Sequence, residues 1–353
     1  MNKPGSDSKI IAFTLASVVG LILLTGCNDV TVKDNNLLGY QAVSEKEYDA
    51  ALQFFDAAEK EHENLQEAYR GRGIAYMGKA DYKNAVSALK ASLSESDGRI
   101  GGLEFDTAFY LAVAEFRSGD PSASKETCTS IINLRQDDPD AFFLRGKAEL
   151  ALNEVDMAVR DFNSAVSYKK DDPDLYIDIY ECLLNAGASD EAGSFLKSAM
   201  ELTKINDFQK GKLNYFMGEY DEAKDRLEAA RGDGSDPELI LWLGKTYEAL
   251  GDKSYAASLY KTYLEDNQGN VEIYNQLGLC EMDTGNYADA LQSFETGLKQ
   301  GDSEIIQSLL FNQIVAYEYL SDFKKAAVLM ESYLKSYPDD EAAKREYKFL
   351  KTR

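Results

Sequence analysis

Polar and apolar positions along this chain recur on a long period. A small residue, usually glycine, is followed nine residues later by an aromatic one, three further on by alanine, and four beyond that by a large side chain. The pattern is carried by Gly39, Tyr48, Ala51 and Phe55; by Gly73, Tyr82, Ala85 and Leu89; by Gly146, Val155, Ala158 and Phe162. It returns as Gly211, Tyr220, Ala223 and Leu227, as Gly244, Lys253, Ala256 and Tyr260, and as Gly278, Tyr287, Ala290 and Phe294. Weaker copies keep part of it: Ala112, Pro121, Ser124 and Cys128; Tyr180 with Ala192 and Leu196; Ile314, Phe323, Ala326 and Met330. Most neighbouring copies stand 33 or 34 residues apart, with a longer step around Gly101 and Gly102 and a shorter one near Lys204. Punctuation follows the same period. Gly218, Gly251 and Gly285 read as the ends of first helices, where glycine accepts a left-handed backbone. Pro139, Pro173 and Pro237 read as openings of first helices, where a missing N–H costs nothing.

This unit resembles the tetratricopeptide repeat family, whose repeat is a helix-turn-helix of about 34 residues. The resemblance covers roughly Val32 to Pro338 and implies an all-α fold, a right-handed α-solenoid of about nine helix-turn-helix units over 37–338. Small residues such as Gly73 and Ala85 are expected to let helices approach, with Tyr82 and Leu89 filling the space between neighbouring pairs. A helix of about 14 residues is marginal alone, so stacking supplies the stability and the array is expected to be one domain. Residues 339–353 carry a charged amphipathic segment with Tyr347, Phe349 and Leu350, read as a C-terminal capping helix.

The first residues follow a different rule. Lys3 and Lys9 precede an apolar run from Ile10 to Leu24, which has the order of a secretory leader and is shorter than the about 20 residues a membrane helix needs. The run ends in Leu24, Thr25, Gly26 and Cys27, which resembles the bacterial lipobox. That resemblance implies a signal peptide over 1–26, a diacylglyceryl group on Cys27, a polar linker over 27–36, and an extracytoplasmic protein lipid-anchored to a bacterial membrane. Acyl chains contribute about 0.8 kcal/mol per buried methylene, and two chains make a lasting tether.

Composition narrows the function classes. A net charge of -23 disfavours nucleic acid, and 44% hydrophobic residues place the chain outside the disordered class. Beyond Cys27 there are Cys128, Cys182 and Cys280, an odd set read as small buried hydrophobes in repeats too far apart for an internal bridge. His62 is the single histidine, so no His-based triad or multi-His metal site can be assembled. Ser122 with Lys125 and Ser321 with Lys324 match the spacing of a serine nucleophile and its lysine, but both fall at helix-pair turns without the companion elements. Arg231, Gly232 and Asp233 spell an adhesion tripeptide that a turn explains as well. The pairs Asp137, Asp138 and Asp171, Asp172 read as N-caps and not as calcium loops. No catalytic residue, metal site or cofactor is expected.

In tetratricopeptide arrays first helices line a groove, and the resemblance implies that the residues around each small position face it. These are Arg70 and Ile74; Phe109, Val113 and Phe116; Phe143, Lys147 and Leu150; then Phe208, Lys212, Leu241, Lys245 and Phe311. The stretch from Arg70 to Leu150 is rich in interface-type side chains. Replacing Phe109 and Phe143 with Ala is therefore expected to abolish partner capture without unfolding the array. A clamp for a chaperone tail would need Lys and Asn where Asn36, Tyr40, Gly71, Asp106 and Tyr110 stand. The expected function is a non-catalytic scaffold or adaptor of the cell envelope that binds an envelope or secreted protein or peptide. The competing class is a solute- or glycan-binding uptake lipoprotein, against which stand the single Trp242 and the shortness of the longest insertion, Asp97 to Glu104.

Overall fold

The computed structural model describes residues 34–232, 236–300, 305–338 and 340–353. The leader, the lipobox with Cys27, residues 28–33 of the linker and Asp233 of the tripeptide lie outside the described residues. Nineteen helices are present among the described residues, and they fall into two compact units, up to Leu202 and from Thr203. The division coincides with the shortened repeat step near Lys204.

The N-terminal unit contains five helix pairs. They are α1 (Asn35–Ser44) with α2 (Tyr48–Lys60), α3 (Leu65–Gly78) with α4 (Tyr82–Ser94), and α5 (Gly102–Arg117) with α6 (Pro121–Leu134), followed by α7 (Pro139–Ala151) with α8 (Val155–Tyr168), and α9 (Pro173–Asn185) with α10 (Ser189–Met200). The C-terminal unit contains four: α11 (Asp207–Met217) with α12 (Tyr220–Arg231), α13 (Pro237–Ala249) with α14 (Lys253–Asp266), α15 (Val271–Asp283) with α16 (Tyr287–Lys299), and α17 (Ile306–Tyr319) with α18 (Phe323–Ser336). A last helix, α19 (Glu341–Leu350), buries Ala343 and Leu350 in the cluster around Met330 and Tyr333, the place expected for a cap. No described helix is long and apolar enough to cross a membrane.

Each turn within a pair is built the same way. One residue takes a positive φ: Lys46, Ala80, Gly119, Asn153, Gly187, Gly218, Gly251, Gly285 or Ser321. The next N–H then bonds back to a carbonyl in the last turn of the first helix, as from Glu47 to Ala42 and from Asn286 to Glu281, both at 2.8 Å. Helix starts are capped by short acids and amides, including Asp138, which accepts from the Ala141 N–H at 3.0 Å, and Asp172, which accepts from Leu175 at 3.3 Å. Asp34 likewise caps α1, and the Asn35 N–H donates to Glu63 at 3.0 Å, so the fold starts two residues earlier than the linker boundary at 36 implies.

Within a pair, the small residue of the first helix meets the large residue sixteen positions later in the second. A Cβ added at Gly73 would lie 2.5 Å from Leu89, one at Gly146 would lie 2.6 Å from Phe162, and one at Gly244 would lie 2.2 Å from Tyr260. Leu89 thus fills its own pair, which corrects the expectation that it packs between pairs. Phe55 serves both uses, touching Gly39 of its pair and Gly71 of the next.

Polar side chains tie successive pairs together. Glu115, buried on α5, accepts from Lys90 of the preceding pair at 2.9 Å and from Thr127 of its own at 2.7 Å. Glu281 on α15 repeats this with Lys261 at 2.8 Å and Ser293 at 2.7 Å. At the same repeat position Tyr247 and Tyr317 donate to Glu228 and Glu295 at 2.8 and 2.9 Å. Buried Glu115 and Glu281 therefore each have two partners, which offsets the cost of taking them out of water.

Candidate functional site

Within each unit, the first helices of successive pairs touch one another, whereas no comparable contact joins successive second helices. Each stack is therefore tighter on the first-helix side, and that side forms its inner face. Helices this close leave no open slot beside the small positions. Ile74, Val113 and Phe143 are accordingly buried, and Phe143, 3% exposed, lies 5.7 Å from the fully buried Phe162 ring. These residues are core shared between pairs, which corrects their reading as groove contacts. The paired Phe109 and Phe143 to Ala substitution is for the same reason a test of stability as much as of binding.

Phe109, Phe116 and Leu150 keep partial exposure. Phe116 and Leu150 occupy the same repeat phase, four residues after the small position, and Leu184 continues that phase on α9 with 45% exposure. Phe116, Leu150 and Leu184 stand 34 residues apart in sequence, one on each of three consecutive first helices. Their shared phase places them in an apolar row on the first-helix side, with a helix-to-helix step of about 10 Å. The 34-residue spacing was available to find Leu184; the lack of a small residue at Tyr180 hid the register.

The basic residues are also drawn in. Lys147 is buried, with Nζ 5.4 Å from the centre of the Phe116 ring and 5.7 Å from Phe143. Burial lowers its pKa, while Asp178 on α9 opposes that shift. Arg70 is buried between Tyr40 and Tyr110, its guanidinium carbon 5.9 and 5.4 Å from their ring centres. In the C-terminal unit Lys212 is buried and bonded to Glu238 at 2.9 Å, and Phe208 stands beneath its ammonium. Lys245 lies 4.7 Å over the Trp242 ring, a residue that the repeat register alone did not single out for the inner face. Leu241 is buried and Phe311 half-buried.

The remaining chemical candidates have structural settings. Lys125 binds Glu149 and Glu154, and Ser321 supplies the left-handed turn residue before α18. Cys128, Cys182 and Cys280 are free thiols; burial pushes Cys128 up to about 12 and Cys182 up to about 11, far from thiolate reactivity. Among the described residues no group of His, Cys, Asp and Glu is arranged to hold a metal.

Comparison with known proteins places the repeats. One tetratricopeptide repeat model matches residues 208–271 and again 241–305, and a second matches 308–340, all within the C-terminal unit. The chain is 28% identical to the BBSome complex member bbs-4 of Caenorhabditis elegans over 157 residues, which is 41% of this chain and 34% of that one. It is 26% identical over 131 residues to the peptidyl-prolyl cis-trans isomerase FKBP4 of Mus musculus, 34% of this chain and 29% of that one. The chain thus spans about a third or less of the length of these curated relatives. A tetratricopeptide repeat protein from Parabacteroides merdae superposes with a TM-score of 0.47 at 15% identity, covering 71% of this chain and 99% of that one. Residues 208–340 thus match tetratricopeptide repeat models, and the described residues of both units are stacked helix pairs of the same kind.

Proposed function

We propose that this tetratricopeptide array is a lipid-tethered adaptor of the bacterial cell envelope, which holds a segment of an envelope or secreted protein against the inner face of its N-terminal unit. One observation carries the binding face: Phe116, Leu150 and Leu184 repeat at 34-residue intervals on consecutive first helices, the first two partly exposed and the last exposed. Such a row offers apolar steps to a bound chain without a pre-formed cavity. The tether rests on sequence, on Leu24, Thr25, Gly26 and Cys27 at the end of a charged-then-apolar leader. Lys245 already occupies a face of Trp242, the ring a sugar would stack on.

The test is site-specific photocrosslinking in intact cells with a photoreactive side chain at position 184, and at exposed position 197 on α10 as a control. The adaptor reading expects one envelope protein to crosslink at 184, to be lost when Leu150→Asp is added, and to be absent at 197. Equal labelling at both positions, or recovery of a bound glycan, overturns it. Cys27→Ser is expected to move the protein from the membrane to the soluble fraction; unchanged fractionation removes the tether from the proposal.

A further inference from the structure

Two arginines of the N-terminal unit that lie beside both a carboxylate and an aromatic ring are matched very differently. Arg145 donates through Nε and Nη2 to the two oxygens of Asp161 at 2.6 and 2.8 Å, the paired geometry that a guanidinium forms with a carboxylate. Arg70 is more deeply buried, its side chain 6% exposed, yet its pairing is poor. Nη1 donates to the Tyr40 hydroxyl at 3.3 Å, Nη2 stands 3.8 Å from Asp106 Oδ2, and Nε has no acceptor. The neighbouring Glu67 contributes its backbone carbonyl to the Tyr40 hydroxyl. A buried guanidinium has five donors to satisfy, and a cation removed from water is costly unless a carboxylate meets it closely. Asp106 does not meet it closely, and its own side chain is 57% exposed. The Arg70 head group therefore lies between two tyrosine rings, with Nη2 on the side of the exposed Asp106 carboxylate.

We propose that Arg70 is the acid-binding anchor of this inner face, taking the side-chain carboxylate of an acidic residue in a bound protein segment. This rests on the reading that a partner lies along Phe116, Leu150 and Leu184. In the bound state the partner carboxylate replaces Asp106 on the Nη2 edge and Asp106 turns into water, so one loosely held anion is exchanged for a well-held one. The tyrosine rings keep the guanidinium planar face covered and leave its edge as the recognition element. Arg70 is on α3 and the apolar row begins on α5, a separation of roughly 10–15 Å that an extended segment covers in about three to five residues. The partner motif is thus an Asp or Glu followed or preceded, at about that spacing, by a large apolar residue.

A displayed library of random peptides of about twelve residues, selected on the full chain, tests this. The expected winners carry the acid and the apolar residue at that spacing. Synthetic copies should bind about tenfold more weakly when the acid is changed to its amide or when the protein carries Arg70→Lys, which keeps the charge and loses the fork. Asp106→Asn, at an exposed position, should leave folding intact and tighten binding about threefold by removing the competing carboxylate. Peptides that need no acid, or binding that is insensitive to Arg70→Lys and Asp106→Asn but abolished by Leu184→Asp, overturn the anchor and leave the inner-face reading standing. Binding insensitive to all three substitutions, or no enriched peptide at all, overturns both.

Discussion

The two units use one frame for different inner faces. In both, a small first-helix residue receives a large side chain sixteen positions later, as Phe162 over Gly146 and Tyr260 over Gly244. Four residues after the small position they part. The N-terminal unit places apolar residues there in all five pairs, Phe116, Leu150 and Leu184 among them, and the C-terminal unit places Glu248 and Glu318 in two of four, beside Tyr215 and Met282. Burial raises the pKa of both glutamates, and Tyr260 donates to Glu248 at 2.9 Å. The turns differ as well: three of the five N-terminal turns put Lys46, Ala80 or Asn153 in the left-handed position, while three of the four C-terminal turns use glycine. Positions that build a pair are held constant, whereas positions that look outward from it are free to carry binding chemistry.

The largest effects should come from the shared frame. Phe162→Ala and Phe294→Ala each remove a fully buried ring from over a glycine, and each should cost about 3–5 kcal/mol. Amide exchange read separately in each unit should show the loss in the unit that carries the substitution. A loss below about 1 kcal/mol in either would mean that the frame is not equivalent in the two.

A smaller effect should separate the units by pH. Glu318 is pushed up to about 7, first by burial and then by the charge of Glu346 on α19. Its folded value exceeds the ordinary one, so its contribution is complete below about pH 4.5 and is lost as pH rises through about 7. Amide protection of α17 and α19 should therefore fall between pH 5 and 8, by about 1 kcal/mol once solvent screening of this partly exposed pair is allowed for. Glu318→Gln should flatten the profile; a profile unchanged by that substitution would assign the dependence elsewhere.

The smallest effect tests the turns. Ala80 holds φ at 56°, where a side chain costs energy that glycine does not incur. Ala80→Gly should stabilise the N-terminal unit by roughly 0.5–1 kcal/mol, and Gly251→Ala, at φ 88°, should destabilise the C-terminal unit by about as much. Urea unfolding midpoints measure both, and shifts of the same sign would break the contrast.

Much of the architecture was legible because it is local. The spacing from Gly73 to Leu89 lies within one helix pair, and Pro173 or Gly285 marks a helix end without reference to anything distant. The inner face was legible only in part. Phe116 and Leu150 were found by their phase, but Phe143 was misplaced because its exposure depends on how near α7 stands to its neighbours. Leu184 escaped for the opposite reason: its phase is plain, but its repeat lacks the small residue that marks the register.

From the sequence alone came nine helix pairs, their turns and the helix that follows them, all set by short-range periodicity and by residues with few backbone options. Tertiary structure alone decided that contacts divide near Lys204, that Ile74, Val113 and Phe143 belong to the core, and that Arg70 is enclosed by tyrosines from the pairs on either side. The reason is physical. Periodicity specifies which side of a helix is apolar, but whether a residue on that side is covered depends on the distance to the next helix, which side chains many residues away determine together.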